Sequence, residues 1–306
     1  MPPSQDDPRP NPIAGPGDYT TTSIVHNDTY PAIYPTAANA TNKSVFIAGA
    51  SKGIGRATAL SFARSGASSI AIAARSSLDA VVGDLRAAAQ KAGRQEPKIL
   101  PVKLDVSDRE SVEAAAKTVE KDFGGLDVLI INAGLLDKGM ITDMNPDAWW
   151  RIWETNVKGP YLMARSFVPI MLKGGEKTIV TVSSVGAHAV MPGLSAYQTG
   201  KLAVLRLMEF VCAEYGDQGV LAYSIHPGNV ADTSIMGGEE IPKDLQHIFV
   251  ETPELAADTL TFLTREKRSW LARRYINATW DMPELMAKEQ EIEGTDKLKV
   301  RMVLAE

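Results

Sequence analysis

Six short apolar runs punctuate the chain: Val45–Ala48, Ser69–Ala73, Ile99–Leu104, Val128–Ile131, Thr178–Val182 and Leu221–Ile225. The first is continuous and apolar from Val45 to Ala48 and reads as a buried parallel strand, and the others read as further strands. Between them lie segments with helical spacing of apolar residues: Gly55–Ser65, Ser77–Ala92, Ser107–Phe123, a long stretch near Pro146–Leu172, and Ala196–Tyr215. Strand alternating with helix predicts right-handed crossovers and a doubly wound parallel α/β sheet. Arg274–Thr279 is expected as a seventh strand, and the segment from Trp280 towards Leu304 as a helical tail that covers a pocket or docks on a partner.

The pattern begins only near residue 43. The first 42 residues form an N-terminal extension. Residues 1–20, rich in Pro, Asn and Asp, are expected to be a disordered tail. Residues 24–35 carry two tyrosines and several aliphatics between prolines and are expected to be an extended arm pinned on the domain. Residues 43–306 then form one catalytic-sized domain.

Composition narrows the partners. The chain has 306 residues, 44% hydrophobic and 23% charged, with a net charge of -5, which disfavours a nucleic-acid surface. No apolar run reaches the length needed to span a membrane. Cys212 is the single cysteine, so no internal disulfide is possible and a reducing, cytoplasmic setting is expected. The 4 histidines have no metal-ligand spacing, and no metal is expected.

Two segments carry chemistry. Gly49-Ala-Ser-Lys-Gly53-Ile-Gly55 joins the first strand to the first helix, where glycines permit a sharp turn and the helix N-terminus offers free N–H groups to a pyrophosphate. Ser183-Ser184 and Tyr197-Gln-Thr-Gly-Lys201 form the second segment. Tyr197 and Lys201 share one helical face, and a cation one turn from a phenol favours the phenolate and lowers its pKa. The plain structural alternative for each is a Gly-rich turn and a capping hydroxyl.

Taken in order, these motifs resemble the short-chain dehydrogenase/reductase family over roughly residues 43–280. Leu104-Asp105-Val106 matches the place where the family sets an Asp beside adenine. Ile131-Asn132-Ala133-Gly134 is close to its Asn-Asn-Ala-Gly, and Asn156 matches its catalytic Asn. Ser184 stands thirteen residues before Tyr197, and Pro227-Gly228-Asn-Val230 matches the loop over the nicotinamide. Ala48 and Ile131 depart from the usual Thr and Asn, and Asp232 followed by Thr233 shifts a Thr by one place. The resemblance implies a single Rossmann-like domain. It implies catalytic roles for Asn156, Ser184, Tyr197 and Lys201. It implies cofactor contacts from Gly49, Ser51, Lys52, Gly53, Ile54, Gly55, Arg75, Asp105, Val106, Asn132, Ala133, Gly134, Lys201, Pro227, Gly228, Val230 and Thr233. The His-Asn-Asp-Thr-Tyr-Pro extension is similar to those of fungal short-chain reductases, many from secondary metabolism.

The second strand ends Ala74-Arg75-Ser76 with no acid to hold the ribose hydroxyls, and Lys52 adds a second cation, so NADP(H) is the expected cofactor. The expected reaction is reduction of a carbonyl on a fairly large apolar molecule: Tyr197 as general acid, Ser184 orienting the carbonyl, and Lys201 lowering the phenol pKa and binding ribose; the resemblance further implies that Asn156 bends its helix and holds a water that relays protons to Lys201. Oxidation of an alcohol with NADP+, and a cofactor-bound isomerase, cyclase or redox sensor, remain open alternatives. Leu136, His188, Val190, Met191 and Met236 are the candidate substrate contacts, with Leu135, Trp149, Trp153 and the segment Ile235–Val250 as further lining. Two apolar faces on the helices at 146–172 and 196–215 call for a further partner, and the resemblance, in which these helices pair across a two-fold axis, implies a homodimer or homotetramer.

Overall fold

Seven parallel strands form one sheet in the order β3-β2-β1-β4-β5-β6-β7. They are β1 (Ser44–Ala48), β2 (Ser69–Ala74), β3 (Lys98–Lys103), β4 (Val128–Ile131), β5 (Thr178–Val182), β6 (Leu221–His226) and β7 (Tyr275–Asn277). The computed structural model describes residues 11, 13–15, 17–37, 42–231, 235, 241, 243 and 245–302.

The central strands are apolar throughout because both faces are covered. In β1, Val45 and Ile47 enter one core and Phe46 and Ala48 the other, and β4 divides Val128 and Ile130 from Leu129 and Ile131 in the same way. On one face lie α1 (Gly53–Ser65), α2 (Asp79–Lys91) and α7 (Pro253–Thr264), which contribute Phe62, Leu85 and Leu260. On the other lie α3 (Arg109–Phe123), α5 (Gly159–Met171) and α6 (Ser195–Tyr215), which contribute Val112, Phe167 and Met208. Strand order reverses between β1 and β4, so a crevice opens at the carboxyl ends of the strands.

The long helix expected at 146–172 is interrupted. α4 (Pro146–Trp153) runs into a π turn at Glu154–Lys158 before α5 begins. Pro160 has no N–H to give the carbonyl of Asn156 four residues back, which is a sequence reason for the irregular turn. A short tail of α8 (Met282–Ala287) and α9 (Glu289–Ile292) lies beyond β7. It folds back on the edge of the sheet: Tyr275 donates its N–H to the Leu298 carbonyl at 2.8 Å, and Arg274 donates to the carbonyls of Ile292 and Thr295. Among the described residues, none of the tail lines the crevice, contrary to one expectation for it.

The extension departs from a free tail within residues 11–20. Asp18 is 5% exposed, and the Trp280 indole donates to the carbonyls of Gly17 and Asp18 at 3.1 and 3.2 Å. Further along, Val25 pairs antiparallel with Trp280, the Thr29 hydroxyl donates to Asp258 at 2.6 Å, and Ile33 is buried in the core between sheet and helices.

Candidate active site

A cavity of about 720 Å³ follows the carboxyl ends of the strands. One end is lined by Gly49, Ser51, Lys52, Gly53 and Ile54, with Arg75, Asp105 and Val106 beside them and Asn132, Ala133 and Gly134 at the crossing from β4. Gly55 lies beneath this lining rather than on it. A Cβ there would stand 2.1 Å from the Gly49 carbonyl oxygen and 2.6 Å from Asn132 Nδ2, so only glycine lets α1 begin this close to β1. Asn132 closes the loop by donating Nδ2 to the Gly49 carbonyl at 3.0 Å. No side chain caps α1, and Gly53 and Ile54, which open it, line the cavity.

Two cations flank this end. Lys52 is exposed, and the Arg75 side chain is 79% exposed, 4.0 Å from Asp105. Burial works against ionising Asp105, but hydrogen bonds from Ser107 and the charge of Arg75 hold its carboxyl below the usual range. The third local cation, Arg56, is already paired with Asp84 at 2.7 Å. The loop geometry, uncapped helix and cations fit the pyrophosphate of a nicotinamide dinucleotide.

Ser184, Tyr197 and Lys201 line the same cavity. Ser184 ends the extended backbone after β5, and its Oγ accepts the Gly186 N–H at 3.0 Å. Tyr197 and Lys201 come from the first turns of α6, and both are buried. Burial pushes the Tyr197 phenol above its usual range, and a side-chain hydrogen bond with Ser184 offsets part of this. Lys201 Nζ donates to the Val182 carbonyl at 2.8 Å and lies 5.6 Å from the Tyr197 ring, and burial lowers it to about 8. The phenol therefore lies higher than the cation-only argument expects, because desolvation of the phenolate outweighs its neighbours.

Asn156, in the π turn, sits behind the cavity wall. Its Oδ1 accepts the Leu135 N–H at 2.8 Å and its Nδ2 donates to the Leu135 carbonyl at 2.7 Å, clamping the chain just after Gly134. Pro227, Gly228 and Val230 line the cavity opposite. Gly228 has φ 87°, and a Cβ there would stand 2.6 Å from Glu251 Cγ, so glycine is needed twice over. Glu251 supports this loop from below by accepting the Asn229 N–H at 2.7 Å.

The far end is apolar. Leu135, Leu136, Met191, Ile235, Ile241 and Phe249 line it, and Gln198 fixes Met191 by accepting its N–H at 2.8 Å. Two expected contacts do not line it. His188 turns its ring edge-on to Tyr275 at 4.7 Å, and Val190 is 98% exposed. Trp149 and Trp153 stack on each other at 5.4 Å behind Leu135 and Leu136. Thr233 and Met236 lie outside the described residues. Several lining residues escaped the sequence reading, His226 and Ile13 among them. His226 accepts the Val185 N–H at Nδ1, 3.1 Å away, and so holds the turn after Ser184; only its position just before Pro227 hinted at this. Ile13 also lines the cavity, from a stretch whose composition suggested a tail.

Residues 43–243 match the family model described as short chain dehydrogenase. The chain is 51% identical over 296 residues to the short chain dehydrogenase pigC of Monascus ruber, covering 96% of this chain and 97% of that one. This protein belongs to the short-chain dehydrogenase family. Another relative, the short chain dehydrogenase citE of Monascus ruber, is 52% identical over 94% of this dehydrogenase and 97% of its own length. Among solved structures, an alcohol dehydrogenase from Thermococcus sibiricus complexed with 5-hydroxy-NADP superposes with a TM-score of 0.64 at 28% identity, covering 74% of this dehydrogenase and 91% of that chain. A 7α-hydroxysteroid dehydrogenase complexed with NADH and 7-oxo glycochenodeoxycholic acid shares the fold, with a TM-score of 0.69 at 21% identity over 82% of this chain and 97% of that one. The match to pigC takes in the N-terminal arm as well as the sheet, since 96% of the chain is covered.

Proposed function

We propose that this dehydrogenase is a cytoplasmic NADPH-dependent reductase of ketones or aldehydes with a large apolar skeleton, at work in secondary metabolism. The observation that carries the reading is the meeting of Ser184, Tyr197 and Lys201 in one cavity with an uncapped helix start and an apolar lining. Reduced NADP supplies hydride when bound. Gly49, Ser51, Gly53 and the N–H groups opening α1 would hold its pyrophosphate, and Arg75 and Lys52 its 2′-phosphate. The NADP derivative bound by the Thermococcus sibiricus alcohol dehydrogenase supports that choice by likeness.

The residues of the chain divide the remaining work. Ser184 donates a hydrogen bond to the substrate oxygen and holds it at the Tyr197 hydroxyl. Tyr197 passes its proton to that oxygen as it gains charge. A phenol raised by burial rests in the protonated form at neutral pH, which suits a proton donor. Lys201, an ammonium below about pH 8, stabilises the phenolate that is left. Asn156 keeps Leu135, and so the Asn132–Gly134 turn, in place. We further propose a homodimer or homotetramer assembled through α4, α5 and α6, whose Trp150, Tyr161 and Phe210 are exposed.

A panel of apolar and small ketones, followed by NADPH absorbance, tests the reading. Turnover with the wild type and a loss of roughly 10²–10⁴-fold in Tyr197→Phe, with NADPH affinity kept, is expected of a general acid. Normal turnover in Tyr197→Phe would sink it.

A further inference from the structure

We propose that the N-terminal arm builds one wall of the substrate end of the cavity, with Ile13 touching the substrate skeleton and Asp18 positioning the arm. The proposal rests on the reading of the cavity as a site of carbonyl reduction.

Ile13 lines the same cavity as Ser184 and Tyr197. Its neighbour Gly15 fixes which end. A Cβ on Gly15 would stand 2.7 Å from Val185 Cγ2, and Val185 directly follows Ser184. The arm thus approaches from the side of the catalytic hydroxyl, whereas Arg75 and the glycine loop lie at the ends of β2 and β1. Around this end the lining is apolar, with Leu135, Met191, Leu245 and Phe249. Ile13 adds a branched aliphatic surface suited to a hydrocarbon or aromatic part of the substrate rather than to its carbonyl.

The arm is held there by a built contact. Asp18 Oδ2 accepts the Gly15 N–H at 2.5 Å, and Oδ1 accepts from Asn277 Nδ2 at 3.0 Å. Asn277 closes β7, and Trp280, just beyond it, donates its indole N–H to two carbonyls of the arm. Asn11 Nδ2 donates to the Tyr19 hydroxyl at 2.6 Å, tying the segment that carries Ile13 back on itself. A carboxyl this buried is costly without partners, so these bonds fix one path for the backbone. That path places Ile13 by way of the sheet.

Size discrimination tests the proposal. The ratio of kcat/KM for a bicyclic aromatic ketone such as tetralone to that for cyclohexanone should fall about tenfold in Ile13→Trp, as expected when a pocket wall advances by several heavy atoms. Ile13→Ala should raise KM for tetralone with little change in kcat, and NADPH affinity should be kept in both. Asp18→Ala, which frees the arm, should move the ketone ratio in the direction of Ile13→Ala. A fall on both ketones alike would reduce Asp18 to a purely structural role and overturn its positioning assignment. Identical ketone ratios in wild type and Ile13→Trp would overturn the wall itself. If the wild type reduces no ketone, the reaction assignment fails separately, and the arm is judged by alkylation of Ile13→Cys with anilinonaphthalene sulfonate bound. Buried Cys212 is the slow internal reference. Protection of the new thiol by the bound dye supports the wall, and an unchanged labelling rate contradicts it.

Discussion

Burial sets the protonation of the two groups on which the proposed chemistry turns. It raises Tyr197 and lowers Lys201 to about 8, so at neutral pH the phenol keeps its proton and the amine its charge. The pairing of Tyr197 with Lys201 was legible in sequence as a four-residue helical spacing. The direction of the phenol's shift was not, because it depends on how completely the folded site excludes water. His188 and Val190 were misplaced for a related reason. The loop between β5 and α6 has no periodicity, so spacing from Ser184 says nothing of which side chains turn inward. Arg75 tests the reading of the other end. Arg75→Asp would replace the proposed charge-assisted bond to a 2′-phosphate, worth roughly 1.5–3 kcal/mol, with repulsion, so NADPH should bind on the order of 10–100-fold more weakly. NADH binding should change little. Titration giving equal wild-type affinities for NADPH and NADH would remove the basis for assigning Arg75 this role.

At the scale of elements, the central strands were legible almost to the residue because a strand buried on both faces leaves an uninterrupted apolar run, whereas the edge strand β3 leaves Lys98, Pro101 and Lys103 exposed. The π turn at Glu154–Lys158 was hidden in an otherwise helical pattern, although Pro160 marked it. The loop Pro227–Val230 was recognisable, but its support was not: Glu251 lies 22 residues from Asn229, and only the fold brings them together. Burial, together with the nearby Asp18, raises Glu251 to about 7 from 4.5, against the bond from Asn229. Below pH 4.5 the group is protonated folded and unfolded alike. As pH rises towards 7 the unfolded chain releases its proton first, so stability falls across that window and levels off above it. Asp18, raised to about 6 by burial, acts with the same sign. Urea unfolding should therefore show a loss on the order of 1–3 kcal/mol between about pH 5 and pH 8 that is smaller in Glu251→Gln, whose amide oxygen can still accept from Asn229. Equal losses in both proteins would mean that Glu251 is ionised throughout.

For the whole molecule, the sheet and its crevice followed from the order of motifs, whereas the arm's route to the active site did not. Asp18, Asn277 and Trp280 are joined across some 260 residues, and nothing local in a Pro-rich segment announces such partners. The exposed face of α4, α5 and α6 bears on assembly. Trp150, Tyr161 and Phe210 are each more than half exposed, which favours burial against a second copy. Light scattering should give the mass of a dimer or tetramer, and Phe210→Arg should shift it towards monomer. A wild-type monomer at micromolar concentration with full activity would contradict the proposed assembly.

The central claim is that Tyr197 gives a proton to a carbonyl oxygen while the carbon receives hydride from reduced NADP. A single-turnover reaction of tetralone with NADPH that carries two deuterium atoms at C4 of the nicotinamide measures this directly. The account predicts one deuterium on the carbon that bears the new hydroxyl, formed by the wild type and not by Tyr197→Phe. NADPH left unconsumed, or a product with no deuterium at that carbon, would contradict it.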